Sequence, residues 1–320
     1  MSGSSEKRVA AVDCGTNSTR LLVAQAGPNG ELITIDRRMQ ITRLGQGVDH
    51  TGNLDPVAIE RTIAVLRDYR SVAERAGVSM QPDAVRITAT SAARDASNRD
   101  VLFGAVRAAV GVEPELLSGS DEGRLSFLGA TADLSPDLGP FLVVDIGGGS
   151  TEFVTGSIGA DGQPVVTGAR SVDLGCVRVT EQFLHSDPPL GAELAEATTI
   201  AGRIVDEALA ALPDAHQART VVGLAGTVSA VAAIDAGMGT YDRNAVHHRW
   251  IDASFADGLL RRLAAVPTYD RREVVGLEPE RADVIVGGLV VLQAVLGRTA
   301  GRLLTSEADI LDGLASSLLP

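Results

Sequence analysis

The sequence predicts an α/β protein built from two duplicated halves, and three observations carry that reading. A fifteen-residue stretch recurs 132 residues further along the chain, strand-like and helix-like stretches alternate, and 320 residues exceed what one hydrophobic core ordinarily supports.

The recurring stretch reads VAAVDCGTNSTRLLV at residues 9–23 and FLVVDIGGGSTEFVT at residues 141–155. Aligned on Asp13 and Asp145, both copies run apolar segment, Asp, any, Gly, any, any, Ser, Thr, any, apolar segment. Each apolar segment is short and β-branched, as buried strands are. Each polar insert holds glycine, so each copy reads as strand, tight turn, strand. Between them, Asn53, Asp55 and Pro56 open a helix that runs to about Ala76 and stops at Gly77. Ile59, Ile63 and Leu66 share one face of it. Residues 84–90 read as a strand, 98–110 and 120–130 as helices, and 131–140 as a turn-rich connector near a domain boundary. After the second hairpin come a helix at about 190–212, a strand at 219–224 and a helix at 227–236. Helical periodicity then covers 281–297, followed by a strand at 302–305 and a last helix from about 309. Strands alternating with helices define the α/β class.

Composition narrows the setting. Hydrophobic residues make up 45% of the chain and charged residues 22%, which excludes wholesale disorder. Aromatics are 3%, so the cores must be aliphatic. No run of about 18 apolar residues is present, and the start MSGSSEKRVAAVD lacks a secretory stretch. Cys14 and Cys176 form neither a disulfide framework nor a zinc site and fit free thiols in a cytoplasmic protein. The net charge of −13 excludes duplex nucleic acid as a partner. It also means that a phosphate-handling role needs local cations: bound metal, or clusters such as Arg261-Arg262, Arg271-Arg272 and His247-His248-Arg249, for which solvated surface is the competing reading.

The candidate chemistry sits in the turns. Glycines let backbone N–H groups approach an anion closely, and hydroxyls add donors. Thr16, Asn17 and Ser18 supply the first turn, and Gly147, Gly148, Gly149 and Ser150 the second. A third turn, ending in Gly226 and Thr227, lies at a strand–helix junction where the helix dipole favours an anion. Asp145 and Glu152 flank the second turn, and Asp13 holds the equivalent place in the first. Hard oxygen ligands beside phosphate suit Mg²⁺ or Mn²⁺. At Asp13 a capping or solvated carboxylate is the alternative. A carboxylate that positions water is also needed. Asp121 and Glu122 are both candidates, and chemistry alone does not choose between them. Arg94 is either a bidentate fork for phosphate or a salt-bridge residue.

Taken together, these stretches resemble the exopolyphosphatase and guanosine pentaphosphate phosphatase family of the actin-like ATPase and sugar-kinase (ASKHA) superfamily. The motifs are DCGTNS from Asp13, TSAARDASN from Thr90, SGSDEG from Ser118, DIGGGSTE from Asp145, SVDLGCVR from Ser171, GLAGT from Gly223 and SEADILDGL from Ser306. The resemblance implies two duplicated ribonuclease-H-like domains with an interdomain cleft: residues 1–127 with 305–320, whose last helix returns to the first domain, and residues 128–304. It implies Glu122 as general base, Asp145 and Glu152 as metal ligands, Arg94 and the glycine loops as phosphate ligands, and Leu174-Gly175 and Arg178 along the second domain's wall. In this chain Thr16 replaces the usual Ser, and SGSDEG replaces SGxEEA, with Glu122 kept and Gly123 expected to loosen the helix start. The chain also lacks the extra C-terminal helical domains of longer relatives, which puts processivity on long polyphosphate in question.

The expectation is a metal-dependent hydrolase that releases orthophosphate from the end of inorganic polyphosphate. The alternatives are conversion of pppGpp to ppGpp in the stringent response, a kinase or actin-like ATPase, and a non-catalytic polyphosphate or nucleotide sensor. A homodimer is an admissible assembly, with no interface legible in the sequence.

Overall fold

The computed structural model describes residues 7–28 and 30–319. It divides into two compact units, one of residues 1–125 with 310–320 and the other of residues 126–309.

The first unit is built on a five-stranded sheet. Its strands are β1 (Arg8–Cys14), β2 (Ser18–Ala26), β3 (Leu32–Ile41), β4 (Val85–Ala89) and β5 (Glu115–Leu116), in the order β3-β2-β1-β4-β5. The first three form an antiparallel meander, and β4 and β5 add in parallel. The second unit repeats this plan with β6 (Phe141–Ile146), β7 (Thr151–Ile158), β8 (Pro164–Val172), β9 (Thr220–Leu224) and β11 (Arg302–Thr305), and adds β10 (Trp250–Asp252) antiparallel at the edge. The duplication extends to a local defect. The ladder slips between Val23 and Ala24 in β2 and between Thr155 and Gly156 in β7, the same two positions of the repeat. Both sheets are mixed and ribonuclease-H-like.

Alternation explains the layers. On β1, Ala10, Val12 and Cys14 face α1 (Pro56–Arg75) and α2 (Arg99–Val110), packing with Ile59, Ile63, Leu66, Leu102 and Val106. Val9 and Ala11, with Leu22 and Ala24, face the opposite way. They pack on Ile310, Leu311 and Leu314 of the final helix (Ile310–Ser316). Strands covered on both faces read as unbroken apolar runs, and β1 and β6 are buried almost throughout. In the second unit Leu142, Val144 and Phe153 face α4 (Cys176–Phe183), α5 (Gly191–Ala210), α6 (Ala225–Asp235), α7 (Ala253–Ala264) and α8 (Ile285–Leu296). Phe141, Val143 and Val154 face Phe127 and Ala130 of α3 (Gly119–Thr131).

The unit boundaries follow from this packing. The sequence expectation divided the chain at 127/128 and 304/305; the structure divides it at 125/126 and 309/310. Phe127 belongs to the second unit's core, and the Ser306 N–H donates to Gly223 O at the end of β9. The helix at 285–296 is apolar on all sides because it is wholly buried. The edge strands β3 and β8 escaped the sequence reading, because edges with one exposed face carry mixed sequences such as LITIDRRMQI. Gly123 does not break α3, which runs unbroken across it.

The final helix, α9 (Ile310–Ser316), lies so close to the chain at Leu125 that a Cβ on Gly313 would run into the Leu125 carbonyl oxygen. The backbone on both sides is packed, so the collision has no flexible side chain to relieve it. Gly313→Ala is expected to destabilise the protein by about 1–3 kcal/mol, as overpacking does, measured by chemical denaturation.

Candidate active site

Two turns of the same shape occupy the carboxyl ends of β1 and β6. In the second, Gly147 N–H donates to Ser150 O at 3.0 Å and closes the turn. Its carbonyls are held from behind by the start of α4. Cys176 N–H donates to Gly147 O (3.0 Å), Val177 and Arg178 N–H to Gly148 O (2.8 and 3.2 Å), and Arg178 Nε to Gly149 O (2.7 Å). The first N–H groups of a helix have no partner within it, and here the turn supplies their acceptors. Gly175 is required for this approach, because a Cβ there would collide with Gly148. With the carbonyls fixed away, the N–H groups of Gly148 and Gly149 meet no acceptor among the described residues. That is the polarity an anion site requires.

The first turn uses the same device with different parts. Gly15 N–H donates to Ser18 O, Gly45 N–H to Thr16 O, and Thr42 and Arg43 N–H to Asn17 O. Arg43 adopts a left-handed backbone (φ 51°) to do so, a strain typical of functional loops. Thr16 is buried, with its methyl group packed against Gly45. Asn17 is buried, and its Nδ2 has no protein partner. An orphaned amide donor at that depth is an open position for an anion. Ser18 is half-buried at the start of β2.

The carboxylates differ between the copies. Asp13 is 2% exposed, and its register partner across the hairpin is Arg20, whose Nη2 lies 2.7 Å from Asp13 Oδ2. Thr88 Oγ1 stands 3.5 Å from the other oxygen. In the second copy the register partner of Asp145 is Glu152, at the repeat position of Arg20. Asp145 is 6% and Glu152 1% exposed, and directly paired positions point to one face. Two acids stand where the first copy has an acid and a base. Like charges so paired repel in a dry site, and a divalent cation among hard oxygens relieves the repulsion. The donor set therefore fits Mg²⁺ or Mn²⁺ at Asp145 and Glu152. Asp13, by contrast, already has its cation in Arg20, which is a structural ion pair rather than the metal ligation expected.

Asp121 and Glu122 fall into different environments. Ser118 caps α3: its Oγ accepts the Asp121 N–H (3.1 Å) and donates to Asp121 Oδ2 (2.6 Å), which holds Asp121 at the helix start. Glu122 is half-buried and ion-paired with Arg94, Nη1 to Oε2 at 2.6 Å, while the same Nη1 donates to Leu117 O at 3.1 Å. Arg94 comes from the single helical turn Ser91–Asp95 after β4. The two alternatives for Arg94, salt bridge and phosphate fork, thus meet in one side chain whose salt bridge is to the candidate base.

The third turn departs from expectation. Ala225 has φ 68° where β9 passes into α6, so this junction is strained too. However, Thr227 is buried against Gly288, with its hydroxyl on the Cys176 thiol, and the Arg281 guanidinium lies over Gly226. The Thr227 side chain is therefore part of the core, where its hydroxyl does not face an open turn. Burial, and for Cys14 the charge of Asp13, raises both thiols, so neither cysteine is a nucleophile at neutral pH. One arginine of each basic cluster is paired with an acid: Arg249 with Asp235, Arg261 with Asp257, and buried Arg271 with Asp187.

Asp133, His247 and His248 also gather their ligand atoms within 4.8 Å of one another. The chemistry is wrong for a metal. His247 Nδ1 accepts the Glu307 N–H (3.0 Å), so in the neutral ring Nε2 carries the proton and donates it to Asp133 Oδ2 at 2.7 Å. A metal-binding imidazole needs the reverse, a donor on the far nitrogen. The rings are stacked at 3.8 Å.

Sequence reasoning missed Arg20 and the hydroxyls of Ser126 and Ser171. Arg20 was visible in the repeat, where STR faces STE. Ser171 opens the SVDLGCVR motif, but its hydroxyl was given no role, and Ser126 lies outside every motif and gave no signal.

With this geometry in view, comparison with known proteins places the chain. It belongs to the Ppx/GppA phosphatase family, whose model matches residues 22–306. It is 42% identical over 324 aligned positions to exopolyphosphatase 2 of Mycobacterium tuberculosis, covering 97% of this chain and 98% of that one. A crystal structure of an exopolyphosphatase-like protein superposes with a TM-score of 0.87 at 36% identity, covering 96% and 97% of the two chains. The Aquifex aeolicus family member gives a TM-score of 0.78 at 30% identity, covering 97% of each. No helix among the described residues is long and apolar enough to cross a membrane.

The histidine pair makes a pH prediction. His248 is pushed below its ordinary value of 6.5 by burial and by His247, with Asp133 opposing. For Asp133 burial acts upward, but the hydrogen bond from His247 and the charges of both rings bring it below 3.8. Both folded-state values are depressed, so each contribution is complete above the unfolded value and is lost as pH falls through the folded one. For His248 that window opens at 6.5 and extends downward. Melting scans from about pH 7.5 to about 5 should fall more steeply for the natural chain than for His248→Ala.

Proposed function

We propose that this chain is a metal-dependent exopolyphosphatase that hydrolyses the terminal phosphoanhydride of inorganic polyphosphate and releases orthophosphate. The observation that carries the reading is the buried Asp145–Glu152 pair beside a glycine turn in which the Gly148 and Gly149 N–H groups meet no acceptor among the described residues. The family and the relatives' exopolyphosphatase activity support the same class. Mg²⁺ or Mn²⁺ as the metal and a cytoplasmic location belong to this proposal, the latter consistent with two free thiols.

The residues divide the work. Each unit's turn supplies donors for phosphate: the amides of Gly148, Gly149 and Ser150 in the second, and Asn17 Nδ2, Thr16 and Ser18 in the first. The backbone of Gly226 and Thr227 adds donors at a helix start. A divalent cation held by Asp145 and Glu152 supplies neutralisation of phosphate oxygens when bound. Glu122 accepts the proton of a water as its oxygen bonds to phosphorus and the bridging P–O bond breaks, leaving orthophosphate and a chain one phosphate shorter. Arg94 keeps Glu122 ionised and aimed. That role suits a reaction governed mainly by positioning and electrostatics.

Glu122→Gln is expected to fold normally and to lose about 10²- to 10⁴-fold in kcat, measured as phosphate release. A variant retaining near-natural turnover would remove Glu122 from the role. The family name spans guanosine pentaphosphate phosphatases as well. Phosphate release from polyphosphates of several lengths and from pppGpp, each with Mg²⁺ and with Mn²⁺, should show higher kcat/KM for polyphosphate. The opposite order would assign the chain to the alarmone.

A further inference from the structure

Two hydroxyls touch the carboxylate pair. Ser126 Oγ donates to Asp145 Oδ2 at 2.7 Å, and Ser171 Oγ donates to Glu152 Oε1 at 2.7 Å. Each serine anchors one oxygen of one acid and so restrains the rotation of that carboxylate. Ser126 is fully buried on α3, and Ser171 sits on β8 as the register partner of Glu152. The first copy provides a control within the same molecule. There Asp13 pairs with Arg20, and the register partner of Arg20 is Met39, which has no hydroxyl. The serine donor on the third strand thus accompanies the second acid and is missing where a base replaces it.

The orientation matters for a stated reason. A hydroxyl donor to one oxygen restrains the carboxylate's rotation, the usual arrangement of outer partners around a metal site. Without the donor, two adjacent acids in a dry site turn apart to reduce their repulsion, and the cation must bring them back.

We infer that Ser126 and Ser171 are positioning residues that preset Asp145 and Glu152 for a divalent cation, an inference that rests on the metal reading given above. The test is calorimetric titration of the full chain with Mn²⁺ alone, without substrate. Ser126→Ala and Ser171→Ala should each weaken Mn²⁺ binding by about 10- to 100-fold, and Ser171→Thr, which keeps a hydroxyl on an accessible strand, should recover to within about threefold. In turnover, the Mn²⁺ concentration giving half-maximal rate should rise in parallel. A merely structural role would lower the melting temperature of the metal-free protein and leave Mn²⁺ affinity alone. Alanine variants that bind Mn²⁺ within about twofold of the natural chain, while Asp145→Asn and Glu152→Gln abolish binding, would overturn the inference and leave the metal reading intact. Binding that survives Asp145→Asn and Glu152→Gln would overturn both. Should Ser126→Ala fail to fold, the Ser171 pair carries the test, since Ser171 is half-buried.

Discussion

The second glycine turn depends on its carbonyls being held from behind. A glycine turn offers N–H and C=O groups in alternation, and the carbonyls would repel an anion as strongly as the amides attract it. Anchoring Gly147, Gly148 and Gly149 carbonyls on the start of α4 and on Arg178 Nε leaves a surface of donors. The helix start gains as well, since its orphan N–H groups find acceptors. The first turn achieves the same polarity with a loop instead of a helix, and the left-handed backbone at Arg43 costs on the order of 1–2 kcal/mol.

Duplication gave both halves the same frame, down to the position of a bulge, and divergence then separated their chemistry at one register position. Arg20 opposite Asp13 closes an ion pair, so the first hairpin is electrostatically complete. Glu152 opposite Asp145 leaves the second hairpin with two acids and a requirement for positive charge. This divergence stands in a protein of net charge −13, in which Arg249, Arg261 and Arg271 each pair with an acid.

Much of this was legible in the sequence, for identifiable reasons. β1 and β6 are buried on both faces and glycine follows each, so period and punctuation agreed. The helix over Pro56–Arg75 announced itself by its Asp55 cap and Pro56. The edge strands β3 and β8 did not, because pairing on one side only leaves their sequence weakly constrained. At the site, acids and glycines were readable because few other roles place them in such a pattern. Whether Asp121 or Glu122 faces Arg94 was not, since one residue's rotation on a helix decides it. Thr227 misled because a hydroxyl beside a glycine looks the same whether it points to an anion or into a core. Arg20 was in plain view, and its meaning required knowing that it stands opposite Asp13.

The first unit is discontinuous in sequence. The face formed by Val9, Ala11, Leu22 and Ala24 is covered by α9, which follows the entire second unit. During synthesis, the amino-terminal sheet therefore leaves the ribosome with one apolar face bare, and it stays bare until translation has passed residue 310. Vectorial folding cannot finish the two units in the order in which they are made. The half translated first is the half completed last, and a nascent chain stalled inside the second unit would present that face to chaperones or to neighbouring chains.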